Sequence, residues 1–339
     1  MCGEEMASIK DVAEYAGVST STVSRVLSGK IHVNDETREK VFAGVHALGY
    51  KPNLLAKSLK MGRTDTIALI VPSIQNQIFP VIARGVEDTA RKNGFTTILC
   101  NTDEDVDIEK MYINKLRTRW IDGIIIGSML PDSTHINKLR EEGFPIVLAS
   151  RYYDKSIDAI TIDHYQAAYD GTSYLIRTGH KRIAVALGRR ELNVYRDRFA
   201  GYLKALEDHG LSFDPELLME EQSGASDFYY LTRNLLSSGK KPDAIFATSD
   251  PKAVVILRAL KDAGVSVPEE VSVLGIDNIE IAALIEPPLS TVSQPLYDIG
   301  AIAAQKLLGL ITHKDTYGVL PEPTIDILSA DLIIRKSTR

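Results

Sequence analysis

The chain has 339 residues, of which 44% are hydrophobic and 25% charged, with a net charge of −6; the length exceeds one ordinary core and the composition excludes a disordered or collagen-like protein. Charge is unevenly spread: residues 1–63 carry nine Lys/Arg against seven Asp/Glu and the remainder thirty against thirty-eight, so a mildly basic head precedes an acidic body. Two cysteines, Cys2 and Cys100, exclude a disulfide framework, and the lack of a membrane-length apolar run or a signal-peptide core predicts a cytoplasmic protein with no membrane partner.

The first predicted elements lie between Ser8 and Leu59. Val12, Ala13 and Ala16 share one face of a first helix, which Gly17 can end because glycine tolerates the left-handed cap conformation. A second helix starts at once. Ser19 can accept from a backbone N–H two or three residues on, and Val23, Val26 and Leu27 point inward. Thr20, Ser21, Ser24 and Arg25 are left outside near the helix start, with Thr22 beside them. Short donors and acceptors with one guanidinium suit base edges in a major groove. Thr20 to Ser28 therefore reads as the recognition helix of a helix-turn-helix. A Ser/Thr run alone is ordinarily capping and turn chemistry; the flanking helices favour the DNA reading. Asn34 or Asp35 can cap a third helix with a Val41, Val45, Leu48 stripe ending at Gly49. Tyr50 to Lys60 then supplies a proline, an Asn53 cap and a short lysine-bearing helix, too short to persist alone in water.

These residues resemble the head of the lactose-repressor/galactose-repressor family. The matching stretches are Ile9-Lys10-Asp11-Val12-Ala13, Gly17-Val18-Ser19, Thr22-Val23-Ser24-Arg25-Val26, Thr37-Arg38, Gly49-Tyr50 and Pro52-Asn53 with Ala56 and Leu59. The resemblance implies that the helix after Pro52-Asn53 is a hinge pairing with its twin in the minor groove, with Leu59 wedged between base steps and Ala56 at the close contact. It also places the two variable base-reading positions at Thr20 and Ser21, the recognition-helix arginine at Arg25 and a further DNA contact at His32. The predicted DNA-binding set is thus Thr20, Ser21, Thr22, Ser24, Arg25, His32, Asn53, Ala56 and Leu59.

Met61 to Thr66 is short, polar and turn-prone, and a domain boundary is predicted there. The expected division is a head over 6–52, a hinge and linker over 53–63 and a body over 64–339. In the body, apolar runs at 67–71, 95–100, 123–126 and 145–150 alternate with helices near 78–93, 108–117 and 133–142, as buried parallel strands covered by helices do. The rhythm restarts with strands near 159–162, 183–187, 217–220, 244–248 and 271–276 and helices near 165–177, 198–208, 228–236 and 252–263. No internal repeat is evident. A strand at 291–294, a helix at 297–310 and strands near 325–328 and 332–334 follow. The fold class expected is α/β, an all-α helix-turn-helix head with a hinge helix followed by a two-subdomain, periplasmic-binding-protein-like body. The family implies three crossings between the subdomains, near 158–163, 287–294 and 318–326. That gives an N-subdomain of about 64–160 and 292–322 and a C-subdomain of about 161–290 and 323–339.

Polar groups just after strands are the candidate effector contacts, since ligands of such folds bind at strand carboxyl ends. They are Ser73, Ile78, Phe79 and Ser150 in the first half, and Arg196, Arg198, Ser249, Asp250 and Asp277 in the second. An arginine and a carboxylate facing each other suit polyhydroxyl ligands, with Phe79 able to cover a ring or equally to sit in the core. Arg198, in Arg196-Asp197-Arg198-Phe199-Ala200-Gly201-Tyr202, and Asp277, in Gly275-Ile276-Asp277-Asn278, match the family's effector arginine and aspartate. Ser150 stands where many relatives carry an acid, and Ser249 where some carry Asn.

Scattered histidines, and the lack of a GxSxG or Lys-Ser/Thr phosphate loop and of metal-ligand spacing, predict no enzyme, cofactor or metal. The function expected is a sequence-specific regulator, a repressor, binding near-palindromic double-stranded operator DNA as a homodimer and switched by a small-molecule effector, a sugar or sugar derivative. A second resemblance points to the catabolite control branch, whose body binds a serine-phosphorylated phosphotransferase carrier protein. It rests on Ala83 to Asp88, Ile162 to Asp170, Gln294 to Ala301 and Arg335 to Thr338. Gln305 departs from it, standing where that branch has an arginine.

Overall fold

The computed structural model describes residues 7–28, 33–50, 63–118, 121–127, 134–152 and 156–339. The chain separates into two compact units, Met1–Thr64 and Asp65–Arg339.

In the first unit, α1 (Ile9–Ala16), α2 (Thr20–Ser28) and α3 (Asp35–Ala47) surround a core of Val12, Ala13, Ala16, Val23, Val26 and Val41. Each helix start is fixed by its sequence. Ser8 Oγ accepts from Asp11 N while the Asp11 carboxylate accepts from Ser8 N at 2.7 Å, a reciprocal box. Ser19 Oγ accepts from Thr22 N at 3.2 Å. Asn34, rather than Asp35, caps α3, accepting from Thr37 N at 2.9 Å. Gly17 takes φ 65° and ends α1 as expected. One stripe residue departs from expectation: Leu48 is exposed, because α3 stops at Ala47 and the buried turn above Val41 is Gly44, packed against the Tyr15 ring.

The second unit holds two six-stranded sheets. The first contains β1 (Thr66–Val71), β2 (Thr96–Asn101), β3 (Gly123–Ile126), β4 (Ile146–Ala149), β5 (Asp158–Ile162) and β11 (Ile325–Leu328), ordered β11-β5-β4-β3-β1-β2 and parallel throughout. The second contains β6 (Ile183–Leu187), β7 (Leu218–Glu220), β8 (Ala244–Ala247), β9 (Ser272–Asp277), β10 (Ser290–Ser293) and β12 (Asp331–Ile333), ordered β12-β10-β9-β8-β6-β7. Here β12 runs antiparallel to β10, the one antiparallel pair among the described strands of two otherwise parallel sheets. Five strands in each sheet follow one order, 2-1-3-4-5, so the halves share a topology that the sequence does not display as a repeat.

The helices are α4 (Ile78–Lys92), α5 (Val106–Arg117) and α6 (Thr134–Glu141) in the first half, then α7 (His164–Arg177), α8 (Asn193–Asp208), α9 (Asp227–Ser237), α10 (Asp250–Asp262) and α11 (Glu280–Leu284), and finally α12 (Leu296–Tyr317). Helix α12 returns to the first half and runs seven residues beyond the predicted Leu310, to a left-handed cap at Gly318. It crosses α4 at two glycines: a Cβ on Gly85 would strike the Tyr297 carbonyl, and one on Gly300 the Ile82 carbonyl.

The chain passes between the halves after β5, after β10 and after β11. The third passage falls at Ser329 and Ala330 rather than at 318–326, because β11 pairs with β5 as the edge strand of the first sheet. Residues 323–328 therefore belong to the first half. The terminal segment is built into the second sheet: Ser337 O accepts from Val273 N at 2.7 Å, and Ser337 Oγ donates to Val273 O and accepts from Ser290 N.

Candidate functional site

The outer face of α2 carries Thr20, Ser21, Ser24 and Arg25, all exposed, while Val23 and Val26 are buried beneath them. Thr22 is half-buried, and its hydroxyl meets Ser19 Oγ at 2.9 Å, so it belongs to the helix start as well as to the face. Ser21 Oγ also lies 2.7 Å from Ser19 Oγ. The expected contacts His32, Asn53, Ala56 and Leu59 lie outside the described residues.

In the body, the polar groups gather where the carboxyl ends of the two sheets meet. The strand order changes direction between β1 and β3 and between β6 and β8, and loops leaving such switch points are where this architecture binds ligands. Backbone strain concentrates there. Of the six described non-glycine residues with positive φ, five end or follow strands at this end: Asp103, Glu104, Ser150, Asp277 and Asn278.

Arg198 is the centre. It is 4% exposed, and its guanidinium donates to the Thr248 carbonyl and, at 3.3 Å, to His164 Nδ1. It stands 3.7 Å from Asp277 Oδ1, while its buried Nε has no hydrogen-bond partner. Asp277 accepts from Gln294 Nε2 at 2.6 Å. Burial raises the Asp277 carboxyl, and the Arg198 charge only partly offsets this. His164 ties the halves together: Nε2 donates to the Ser150 carbonyl at 3.1 Å, leaving the Nδ1 lone pair for Arg198. Burial, then the Arg198 charge, hold its pKa well below 6.5, so the ring is neutral and serves both bonds at once.

Further contacts cross between the halves. Arg189 pairs with Glu104, and Asn193 Nδ2 donates to the Tyr152 carbonyl at 3.5 Å. Within the second half, Lys252, almost wholly buried, pairs with Glu221 at 3.0 Å and donates to Tyr195 Oη and Ser249 Oγ, both at 3.2 Å. Arg151 directly follows Ser150, with its guanidinium 6.0 Å from the centroid of the Phe79 ring.

The nine candidate contacts are not equally placed. Ser150, Arg198 and Asp277 are brought together through His164. Ser249 precedes α10 as its cap residue but spends its hydroxyl on Lys252. Ser73 is half-buried after β1, its hydroxyl accepting from Gln75 N at 3.2 Å. Ile78 and Phe79 are buried in the first turn of α4, Phe79 within the core and against Gly127, with the Arg151 guanidinium over its ring. Asp250 has no exposure. It accepts from Thr291 Oγ1 at 2.7 Å and Ile279 N at 3.0 Å, and it presses on Gly275 where no Cβ would fit. Burial and the neighbouring Asp277 push its pKa up to about 7, and its oxygens shape the β9 turn rather than face open space. Arg196 is exposed and bonded to Asn193: α8 starts five residues before the predicted Arg198, which turns Arg196 outward as it turns Arg198 inward. Sequence reasoning did not single out Arg151, His164, Tyr195 or Lys252. For Arg151, His164 and Lys252 the signal was position, two to five residues beyond a strand's carboxyl end, whereas Tyr195 lies eight residues beyond β6, inside α8.

A three-helix head with a polar recognition face, joined in sequence to a two-lobed α/β body whose polar cluster lies between the lobes, defines a ligand-responsive DNA-binding regulator. The sequence pattern of bacterial regulatory proteins of the lacI family matches residues 8–53, and that of the periplasmic binding proteins and sugar binding domain of the LacI family matches residues 64–320. The chain belongs to the LacI family of transcriptional regulators. It is 38% identical to the HTH-type transcriptional regulator RegA of Clostridium saccharobutylicum, over 98% of this chain and 99% of that one. It is 36% identical to catabolite control protein A of Priestia megaterium, over 91% and 93%. Among solved structures, the lac repressor dimer bound to operator and the anti-inducer ONPF superposes with a TM-score of 0.87 at 27% identity, over 98% and 99% of the two chains. Among the described residues, no helix is long and apolar enough to cross a membrane.

Proposed function

We propose that this regulator is a repressor that binds a near-palindromic operator as a homodimer and is switched by a sugar or sugar derivative held where the two halves of the body meet. Its task is binding and release, with no chemistry on the ligand. The observation that carries the switch is Arg198, a buried guanidinium with one donor unspent, reaching Thr248, His164 and Asp277. Arginine and carboxylate groups in a water-poor site recognise hydroxyl pairs. The exposed hydroxyls and Arg25 on α2 supply the base-reading chemistry, and a two-fold protein requires a two-fold site. The repressor–operator structure that this chain resembles also contains a small molecule, which supports pairing the two activities. Ser73, Ser150, Ser249 and Asp277 are the further effector contacts proposed, with Asp250 and Gln294 holding the turn behind them.

The test is selection of operator DNA from a random duplex pool with the full chain, followed by anisotropy titrations on the winning site with and without a sugar panel. A near-palindromic winner whose affinity moves with at least one sugar supports the reading. A winner without two-fold character, or affinity indifferent to every sugar, counts against it.

The similarity to catabolite control protein A favours a second reading, in which a serine-phosphorylated carrier protein acts as corepressor on the body. A groove beside Gln305 lies on α12, lined also by Asn93, Thr312, His313 and Tyr317. Among the described residues, no lysine or arginine lines it, and a phosphoserine surface depends on such cations. The small-molecule reading is therefore preferred, and adding phosphorylated carrier to the same titrations discriminates the two.

A further inference from the structure

His164 lies at the first crossing between the halves, and both of its ring nitrogens are committed. It opens α7 directly after the passage from β5 and is 4% exposed. Its Nε2 donates to the Ser150 carbonyl of the first half at 3.1 Å, with Thr161 Oγ1 beside it at 3.4 Å. Its Nδ1 accepts from the Arg198 guanidinium of the second half at 3.3 Å. Arg198 is itself anchored on the Thr248 carbonyl and stands 3.7 Å from Asp277, so the imidazole is one link in a chain that runs from half to half.

A neutral imidazole donates at one nitrogen and accepts at the other, whereas an imidazolium donates at both. Here the nitrogen left for a proton is Nδ1, which faces a guanidinium. The charges that bear on the ring are both cations, Arg198 from α8 and Arg151 from the segment after β4. The carboxylates around it are turned to other groups. Asp277 of β9 holds Gln294 and Arg198, Asp163 accepts from the Gln166 backbone, and Asp197 of α8 has Arg196 as its principal charged neighbour. Protonation would therefore set two donors and two positive charges face to face. The bond to Ser150 would gain charge assistance while the one to Arg198 became a repulsion.

We propose that His164 is a proton-operated latch between the halves of the body: neutral, it ties Ser150 to Arg198, and protonated at Nδ1 it keeps Ser150, releases Arg198 and lets the halves part. Burial, then the Arg198 charge, hold the tied ring well below 6.5, while in the parted form it titrates near that ordinary value. The proton thus goes preferentially to the parted form. The tie is fully present above about pH 6.5 and weakens below it, and one proton shifts the ratio of parted to tied forms about tenfold between about pH 7.5 and 5.5. This rests on the preceding reading that the regulator is switched where its two halves meet, and it makes the proton a second signal there.

The experiment follows amide hydrogen exchange of the full chain in the segments around Ser150 and Arg198 from about pH 7.5 to 5.5, corrected for the chemical pH dependence of exchange, with operator anisotropy titrations over the same range. The unaltered protein should open about tenfold more at the acid end. In His164→Gln and His164→Asn, neither of which titrates, opening should not vary with pH; two variants are used so that one misfolded protein does not remove the control. Flat exchange in the unaltered protein, or an equal acid rise in a folded variant, overturns the latch. An acid rise confined to the unaltered protein supports it. If operator affinity moves with that rise, the switching reading is supported too; if affinity stays constant, the latch stands and the coupling of the halves to operator binding falls.

Discussion

Removing Arg198 tests how the centre of the body is held. In Arg198→Ala, the charge-assisted bond to the Thr248 carbonyl is lost, as is the acceptor relationship with His164 Nδ1. Asp277 keeps Gln294 but loses the cation 3.7 Å away that offsets its burial. A charged hydrogen bond contributes about 1.5–3 kcal/mol, and breaking a buried ion pair by deleting one partner costs about 3–5 kcal/mol. These overlap, because Asp277 can take up a proton once its partner is gone, so a loss of about 3–5 kcal/mol is expected. The assay is urea unfolding of the full chain at neutral pH, following the body's transition, for Arg198→Ala, Asp277→Asn and the double variant. Asp277→Asn should recover part of the loss, with a coupling of about 0.5–3 kcal/mol. If Arg198→Ala unfolds within about 0.5 kcal/mol of the unaltered protein, or the two changes simply add, the account of the centre fails. Loss of all sugar response in Arg198→Ala is the functional counterpart.

His164 is held neutral, its folded pKa below the ordinary 6.5, so the unfolded chain takes up a proton first as pH falls and stability is lost from about pH 6.5 downward; in His164→Gln that acid-side loss should shrink in thermal melts across pH 5 to 7. Gly300→Ala, whose Cβ meets the Ile82 carbonyl, should prise α12 from α4 and lower body stability by about 1–3 kcal/mol, whereas alanine at Gly309, where nothing lies within reach, should raise it by about 0.5–1 kcal/mol through helix propensity alone; calorimetry on both separates packing from helix propensity. Arg25→Ala should weaken selected operator by about 1–3 kcal/mol and relax preference at one base position while sparing salt-driven binding to random DNA; equal losses on both DNAs would move Arg25 to the phosphate backbone.

The head was legible because its signals are local: Ser19 and Asn34 cap helices by reaching three residues along the chain, and Gly17 ends one alone, while the Ser8 cap was visible only in the structure. The strands were legible as apolar runs. The third crossing was not, since the strand pattern at Ile325–Leu328 does not say which sheet edge it joins, and the answer lies in pairing with β5 more than 160 residues away. Arg198 and Asp277 were read from motif resemblance and do meet. Arg151 escaped notice because an arginine after a strand ordinarily points to solvent, and only the other half of the body makes that position interior. Asp250 looked like a ligand contact for the same reason in reverse: its partners Thr291 and Ile279 come from distant strand ends, so its full occupation could not be foreseen.

The first sheet closes with residues 325–328 and the second with residues 331–333 and the strand-bridging Ser337. During synthesis, neither lobe can therefore finish while the ribosome is still making the other. Both must wait, with hydrophobic edges uncovered, until residues 325–337 have been made. A cut anywhere in the linear gene yields no self-sufficient lobe. Chaperone demand and sensitivity to truncation should accordingly be set by residues 325–337 rather than by the bulk of either half.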